Sequence, residues 1–275
     1  VIGQSTAPVV ERVPRRMWIG LVAIVVYILF AAGLGNALDY WTGISSGPWE
    51  LVISHAPIVV PIIAGIIFVK WAGWGPAVWR TPVPTGHRGR SWWWLAIPAI
   101  MLVQSLVNIA AAPLDTWTIP SIVLVLVVMG LVGLGEEFYF RGILRASMTR
   151  HHGETFAFVV TSLAFGLAHS AASLAHGVPI ATVAFQVAVT AAGGAVLYGA
   201  FLATGRLWVP IALHALDDFS LALGSGGFGV AAGTEFPTPS FVVFTQAVLW
   251  ILAVVVLISC IRRDHKAKRA PAYAG

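Results

Sequence analysis

Charge is scarce in this chain. Asp, Glu, Lys and Arg make up 10% of its 275 residues against 58% hydrophobic ones, whereas about a quarter of the residues of a soluble domain are charged. That scarcity excludes an ordinary soluble domain. Cysteine is almost missing too: Cys260 alone permits neither an intrachain disulfide nor a Cys-rich metal cluster, and no polar neighbour in its apolar segment would activate it as a nucleophile. The short segments of alternating polarity that mark a transmembrane barrel are also lacking. In their place are continuous Leu-, Val- and Ala-rich runs of roughly 20 residues, long enough to cross a bilayer as helices. They lie near 17–38, 51–72, 92–112, 119–146, 155–175, 179–203, 206–223 and 240–261. The expected fold is all-α, a polytopic transmembrane bundle of about eight spans.

A second absence sets the orientation. The loops bearing Asp39, Glu50, Asp115 and Glu235 contain no Lys or Arg, while Arg12, Arg15, Arg16, Lys70, Arg80, Arg88, Arg90, Arg145, Arg150, Arg206 and the run Arg262 to Arg269 all fall on the other side. The positive-inside rule makes that basic side cytoplasmic, so both termini are expected there, in a cell (inner) membrane. The net charge of +5 is thereby accounted for by topology and the lipid bilayer, with no nucleic-acid partner. The first span follows basic residues but is longer than a signal-peptide core, and reads as a retained helix.

Four segments organise the chain: a cytoplasmic flank at 1–16, N-terminal transmembrane helices at 17–118, a core at 119–223 that holds the polar residues of interest, and 224–275 with an external loop, the last helix and a basic tail. The N-terminal flank and the tail after Arg263 read as mobile segments resting on anionic headgroups. The stretch from Trp74 to Arg90, rich in Pro and Gly, reads as a cytoplasmic connector. Trp41, Trp49, Trp92, Trp93, Trp94, Trp117 and Trp208 sit at span ends, where amphipathic rings prefer the interface. The sixth span contains Ala191-Ala192-Gly193-Gly194, small residues that allow close helix approach in lipid or leave room for an extended substrate. No internal repeat is evident, which disfavours a transporter of inverted halves.

Within the apolar runs the charges are few and grouped. Glu136 and Glu137 adjoin Arg141 near the end of the fourth span, His169 follows Phe165 by one helical turn in the fifth, and His214 and Asp218 share a face of the seventh, with Asp217 on its flank. Ionisable groups at bilayer depth cost upward of about 2.5 kcal/mol and usually face a protein interior or a water-filled cavity. Glu137 and Arg141, at i and i+4, can pair; Glu136 then points about 100° away and is left as a candidate general base, with His169 a natural partner. At about 1.5 Å per residue, Glu136 and His214 lie at similar depths, roughly 13 and 12 Å from Arg145 and Arg206, so the groups can converge in a site open toward the cytoplasm.

These residues resemble the motifs of the membrane-embedded CAAX protease and bacteriocin-processing (CPBP, or Abi) family, which includes the eukaryotic prenyl-protein endopeptidases. The pattern EExxxR falls on Glu136, Glu137 and Arg141, FxxxH on Phe165 and His169, and HxxxN/D on His214 and Asp218, while Thr204 to Ile211 resembles the approach to the third motif. The likeness covers about residues 120–222. It implies an intramembrane endopeptidase, sometimes labelled a metalloprotease, in which Glu136 and His169 activate a water, His214 and Asp218 stabilise the oxyanion, and Glu137, Arg141 and Phe165 shape the site. Asp218 stands where some members have Asn; an ionised Asp218 would accept rather than donate, and would orient His214 instead. The implied partner is a peptide or membrane-protein substrate: a prenylated protein, a peptide pheromone, a bacteriocin precursor or a membrane segment.

Other chemistries fit the same residues. Glu136, His169, His214 and Asp218 are all possible zinc ligands, but HExxH is absent and four candidates on three helices do not define a tetrahedral site; no cofactor is expected, with zinc the alternative. A proton- or ion-coupled transporter would use Glu136, Glu137 and His169 as a relay, and a non-catalytic immunity or scaffold protein would bind a partner in the same cavity. Interhelical polar contacts are the plainest possibility. His55 reads as packing, His176 as too distant, and His87, His151, His152 and His265 as solvated surface.

Overall fold

The computed structural model describes residues 11–44, 46–81, 92–175, 177–228 and 238–269. Among them every regular element is helical, and each of the eight apolar runs forms a helix: α1 (Met17–Thr42), α2 (Pro48–Ala72), α3 (Trp93–Ala111), α4 (119–152), α5 (154–168), α6 (Ile180–Thr204), α7 (Trp208–Gly224) and α8 (Ser240–Arg269). Six helical stretches are long and apolar enough to cross a membrane. One of these, Ile119–Ala168, is α4 and α5 together, and α7, at 17 residues, falls just below that length. The chain is a multi-pass membrane protein.

The second half of α4 is the axis of the bundle. Residues 137–148 are buried without interruption, as expected of a helix enclosed by others on all sides, and Phe138, Phe140, Ile143 and Leu144 form much of the core. Around it, Val22, Val25, Leu29, Ile63, Ile67, Leu163, Leu167 and Val254 turn outward, so the exterior is apolar where lipid would be. The charges of α4 are therefore shielded from lipid by neighbouring helices rather than exposed to it.

α4 does not end where its hydrophobic run ends. It continues as helix to His152, and the chain then reverses at a single residue, Gly153, whose φ of 82° is a conformation that side-chain-bearing residues rarely adopt. A Cβ there would also lie 2.8 Å from the Asp264 carboxylate. That carboxylate accepts a hydrogen bond from the Thr155 amide at 2.9 Å, satisfying an otherwise orphan donor of the first turn of α5. The resulting hairpin pairs residues nearly equidistant from Gly153, as the contact between the Phe140 and Phe165 rings shows.

Two expectations about the flanks are corrected. The tail after Arg263 is helical to Arg269 and docked, because Asp264 caps α5. The described end of the N-terminal flank, from Glu11, is likewise attached: the Arg12 amide donates to the Ala72 carbonyl at 3.0 Å, and Glu11 pairs with Arg15 and Arg150; residues 1–10 lie outside the described residues. The connector begins with a short helix, Gly75–Trp79, and Arg80 bridges to Arg206 at the turn between α6 and α7; its part at 82–91, with His87, Arg88 and Arg90, lies outside the described residues, as do His176 and Glu235. Trp117 is no simple interface anchor, since its indole N–H donates to the Leu223 carbonyl at 3.0 Å.

Candidate active site

α4 and α7 meet at Gly133, where a Cβ would stand 2.7 Å from the Ala215 amide nitrogen. Only a glycine permits that approach, and it brings the next turn of α4, with Glu136 and Glu137, against His214. Just beyond, over Phe138–Leu144, the helix widens to i→i+5 hydrogen bonding, an irregularity often found at functional sites. The widening does not prevent the expected pair: Arg141 Nη1 donates to Glu137 Oε1 at 2.7 Å, with both side chains fully buried.

Arg141 does more than neutralise Glu137. Its Nη2 donates to the Gly194 carbonyl of α6 at 2.7 Å, and its guanidinium stacks 4.3 Å from the centre of the Phe165 ring, a cation–π contact. Phe165 in turn lies against both histidines, 4.8 Å from the His169 ring and 5.7 Å from the His214 ring. The second-motif phenylalanine is thus the apolar floor joining the other groups.

Glu137 Oε1 also accepts from His214, whose Nδ1 is 3.1 Å away. A carboxylate can only accept, so the proton of this bond is on Nδ1. The opposite nitrogen, Nε2, faces Glu136 Oε2 at 3.7 Å and Asp218 Oδ2 at 3.4 Å. Two carboxylates therefore flank the ring, Glu137 at Nδ1 and Asp218 at Nε2. Spacing along α4 revealed that Glu137 and Arg141 share a side; it carried no signal that α7 would present His214 to the same oxygen.

His169 is set differently. Its Nδ1 lies 2.8 Å from the Phe165 carbonyl, which can only accept, so Nδ1 carries the proton of this bond and Nε2 takes no part in it. That Nε2 faces Glu136 Oε2 at 3.9 Å. Glu136 therefore stands between two imidazoles, and its buried Oε2 has no hydrogen-bond donor among the described residues. Exposure increases from Glu137 (0%) through His214 (9%) and Glu136 (16%) to Asp218 (28%) and His169 (34%), so the cluster is closed at the Glu137–Arg141 end and open at the His169–Asp218 end.

All seven expected residues are brought together, whereas His55 bonds to its own helix through Leu51 and Ser54, and His151, His152 and His265 are exposed. Among the described residues no three His, Cys, Asp or Glu side chains are arranged to hold a metal ion; the bond from His214 Nδ1 to Glu137 leaves Nε2 free, as it is in a metal-ligating histidine. No curated protein and no solved structure gives a significant match to the chain. Residues 116–220, which carry all three clustered segments, match the family described as Type II CAAX prenyl endopeptidase Rce1-like, which is the CPBP family, so this part of the chain is similar to the membrane-embedded CAAX-type endopeptidases.

Proposed function

We propose that this protein hydrolyses a peptide bond in a membrane-associated peptide or protein, with Glu136 and His169 activating the water and without a metal. The observation that carries the reading is Glu136 Oε2, buried, without a protein donor, and within 4 Å of the Nε2 atoms of both histidines. A water between Glu136 and His169 gives up a proton to the carboxylate as its oxygen attacks the scissile carbonyl carbon. The carbonyl oxygen becomes an oxyanion, and His214 with a proton on each ring nitrogen donates to it from Nε2. Three carboxylates, Glu136, Glu137 and Asp218, face one guanidinium there, so charge balance favours an imidazolium between them. Glu136 then passes its proton to the departing amine nitrogen as the C–N bond breaks, leaving one acid and one amine product.

Asp218 adjoins the oxyanion position through its contact with His214 Nε2 at 3.4 Å. As a carboxylate it supports the imidazolium, and protonated it would itself donate. Substrate reaches the groups from the open His169–Asp218 end, and orientation with both termini in the cytoplasm of a cell membrane follows from the one-sided basic residues. A cysteine introduced at Thr42 should be labelled by an impermeant maleimide on intact cells, and one at His265 only after permeabilisation; the reverse pattern would place the termini outside.

The function itself is tested by terminal-fragment proteomics of membranes holding the wild-type protein or Glu136→Ala at equal abundance. New peptide termini confined to the wild type identify both activity and substrate. Identical fragment sets would refute hydrolysis by Glu136, and uptake or a proton current in proteoliposomes would favour a transporter.

A further inference from the structure

The Gly194 carbonyl is where the buried ion pair is anchored to another helix. A Cβ at this position would stand 2.7 Å from Arg141 Nη2, 3.1 Å from Phe165 Cδ1 and 3.4 Å from Phe165 Cβ. It would therefore strike both the guanidinium that holds Glu137 and the ring beneath the two histidines. The adjacent Gly193 has open space at the same point, with nothing within 4 Å. The two glycines look equivalent in sequence and differ entirely in what they touch.

Neighbouring positions on α6 share this alignment. The Gln186 amide donates to the His169 carbonyl at 3.3 Å, Ala191 packs where a Cβ on Gly166 would be 2.9 Å away, and the Tyr198 hydroxyl reaches Glu154. Residues 186, 190, 194 and 198 recur at four-residue intervals, so one stripe of α6 runs along the α4–α5 hairpin. Of these contacts, only that of Gly194 reaches a charged group of the site.

We propose that Gly194 is a positioning residue of the reaction: it admits the Arg141 guanidinium to its carbonyl, which fixes Glu137 Oε1 and, through it, the Nδ1 of His214. The small-residue run of α6 thereby serves a role beyond helix packing, resting on the endopeptidase reading above. The relay is directional. Displacing Arg141 acts at the closed end of the cluster and loosens the imidazole that faces the oxyanion.

The test compares Gly194→Ala with Gly193→Ala in purified protein. Gly193→Ala should keep kcat within twofold, whereas Gly194→Ala should lower kcat at least about 100-fold, comparable to losing a placed oxyanion donor, with KM within threefold and an altered pH–rate profile. A methyl group that only disturbed packing would reduce yield and leave the pH profile of the surviving enzyme unchanged. If Gly194→Ala does not accumulate, the double variant Gly194→Ala/Arg141→Lys decides, because the shorter cation vacates the space the methyl needs: recovered accumulation supports the relay, and no recovery overturns it. Full activity of Gly194→Ala would overturn it as well. Should the wild type prove not to be a peptidase, carbethoxylation of His214 followed by mass spectrometry still reads the relay, since only Gly194→Ala should raise it; equal rates in the two variants would reject the inference.

Discussion

Two ion pairs follow one another along α4, one fully buried and one partly, and they are finished differently. At the hairpin end, Arg145 holds Glu154 through Nε and Nη2 at 2.8 and 2.9 Å, the Tyr198 hydroxyl donates to the same carboxylate, and the Phe201 ring lies 4.8 Å from the guanidinium carbon. Both Glu154 oxygens are engaged. One turn deeper, Glu137 Oε1 takes two donors while Glu137 Oε2 and Glu136 Oε2 take none among the described residues. Buried polar groups are almost always satisfied, and a satisfied network rigidifies the structure around it. The closed pair thus secures the hairpin, and the open one leaves the carboxylate oxygens that the proposed reaction uses.

The comparison is broken most sharply at Glu136. Glu136→Gln keeps the shape of the side chain and removes the base, so turnover should fall by about 1,000-fold or more, with His169→Ala losing on the order of 100-fold, while membrane yield stays near wild type. Normal cleavage by Glu136→Gln protein would defeat the assignment. Glu137→Gln and Arg141→Ala should cost both activity and accumulation, because each leaves a buried charge without its partner, at about 3–5 kcal/mol. Detergent-extracted yield beside single-turnover rate separates these two classes.

The closed pair gives the converse outcome. Arg145→Ala should destabilise the protein by about 3 kcal/mol and Tyr198→Phe by roughly 1.5 kcal/mol, the low end for a hydrogen bond to a charged group. The rate per folded molecule should be preserved in both. Thermal denaturation in detergent, with activity normalised to folded fraction, checks this. A loss of turnover without loss of stability would mean that the hairpin end communicates with the site.

How much of this was legible in the sequence depends on whether a contact lies within one helix or between two. The Glu137–Arg141 pair follows from i,i+4 spacing, and the shared depth of Glu136 and His214 follows from the rise per residue. The helices α1 to α8 follow from apolar runs. Spacing along α4 does not say which helix will face it, so the second bond of Glu137, to His214, was not readable. The difference between Gly193 and Gly194 was hidden for the same reason, being a matter of what α4 and α5 place beside α6. The reversal at Gly153 was missed because the polar stretch around it suggests a loop, whereas Asp264, far along the chain, lets helix continue on both sides of one residue. The same capping contact orders the basic tail, whose composition alone suggests a mobile segment.

The smallest effect is expected at Asp218, where the open side of the cluster can be tested without disturbing the closed one. Asp218 is partly exposed and faces Nε2 of His214 rather than the Nδ1 that Glu137 holds, so Asp218→Asn leaves the ring oriented and supplies an amide that can donate to the oxyanion itself. Activity should stay within about tenfold of wild type, the amide compensating for the weaker support of an imidazolium. Exhaustive chelation should likewise leave turnover intact. A zinc enzyme would respond in the opposite way on both counts, since losing a ligand carboxylate weakens metal binding and stripping the metal stops turnover until it is returned. Inactive Asp218→Asn protein, together with chelator inhibition reversed by stoichiometric zinc, would make Asp218 a ligand and replace the glutamate-and-histidine mechanism.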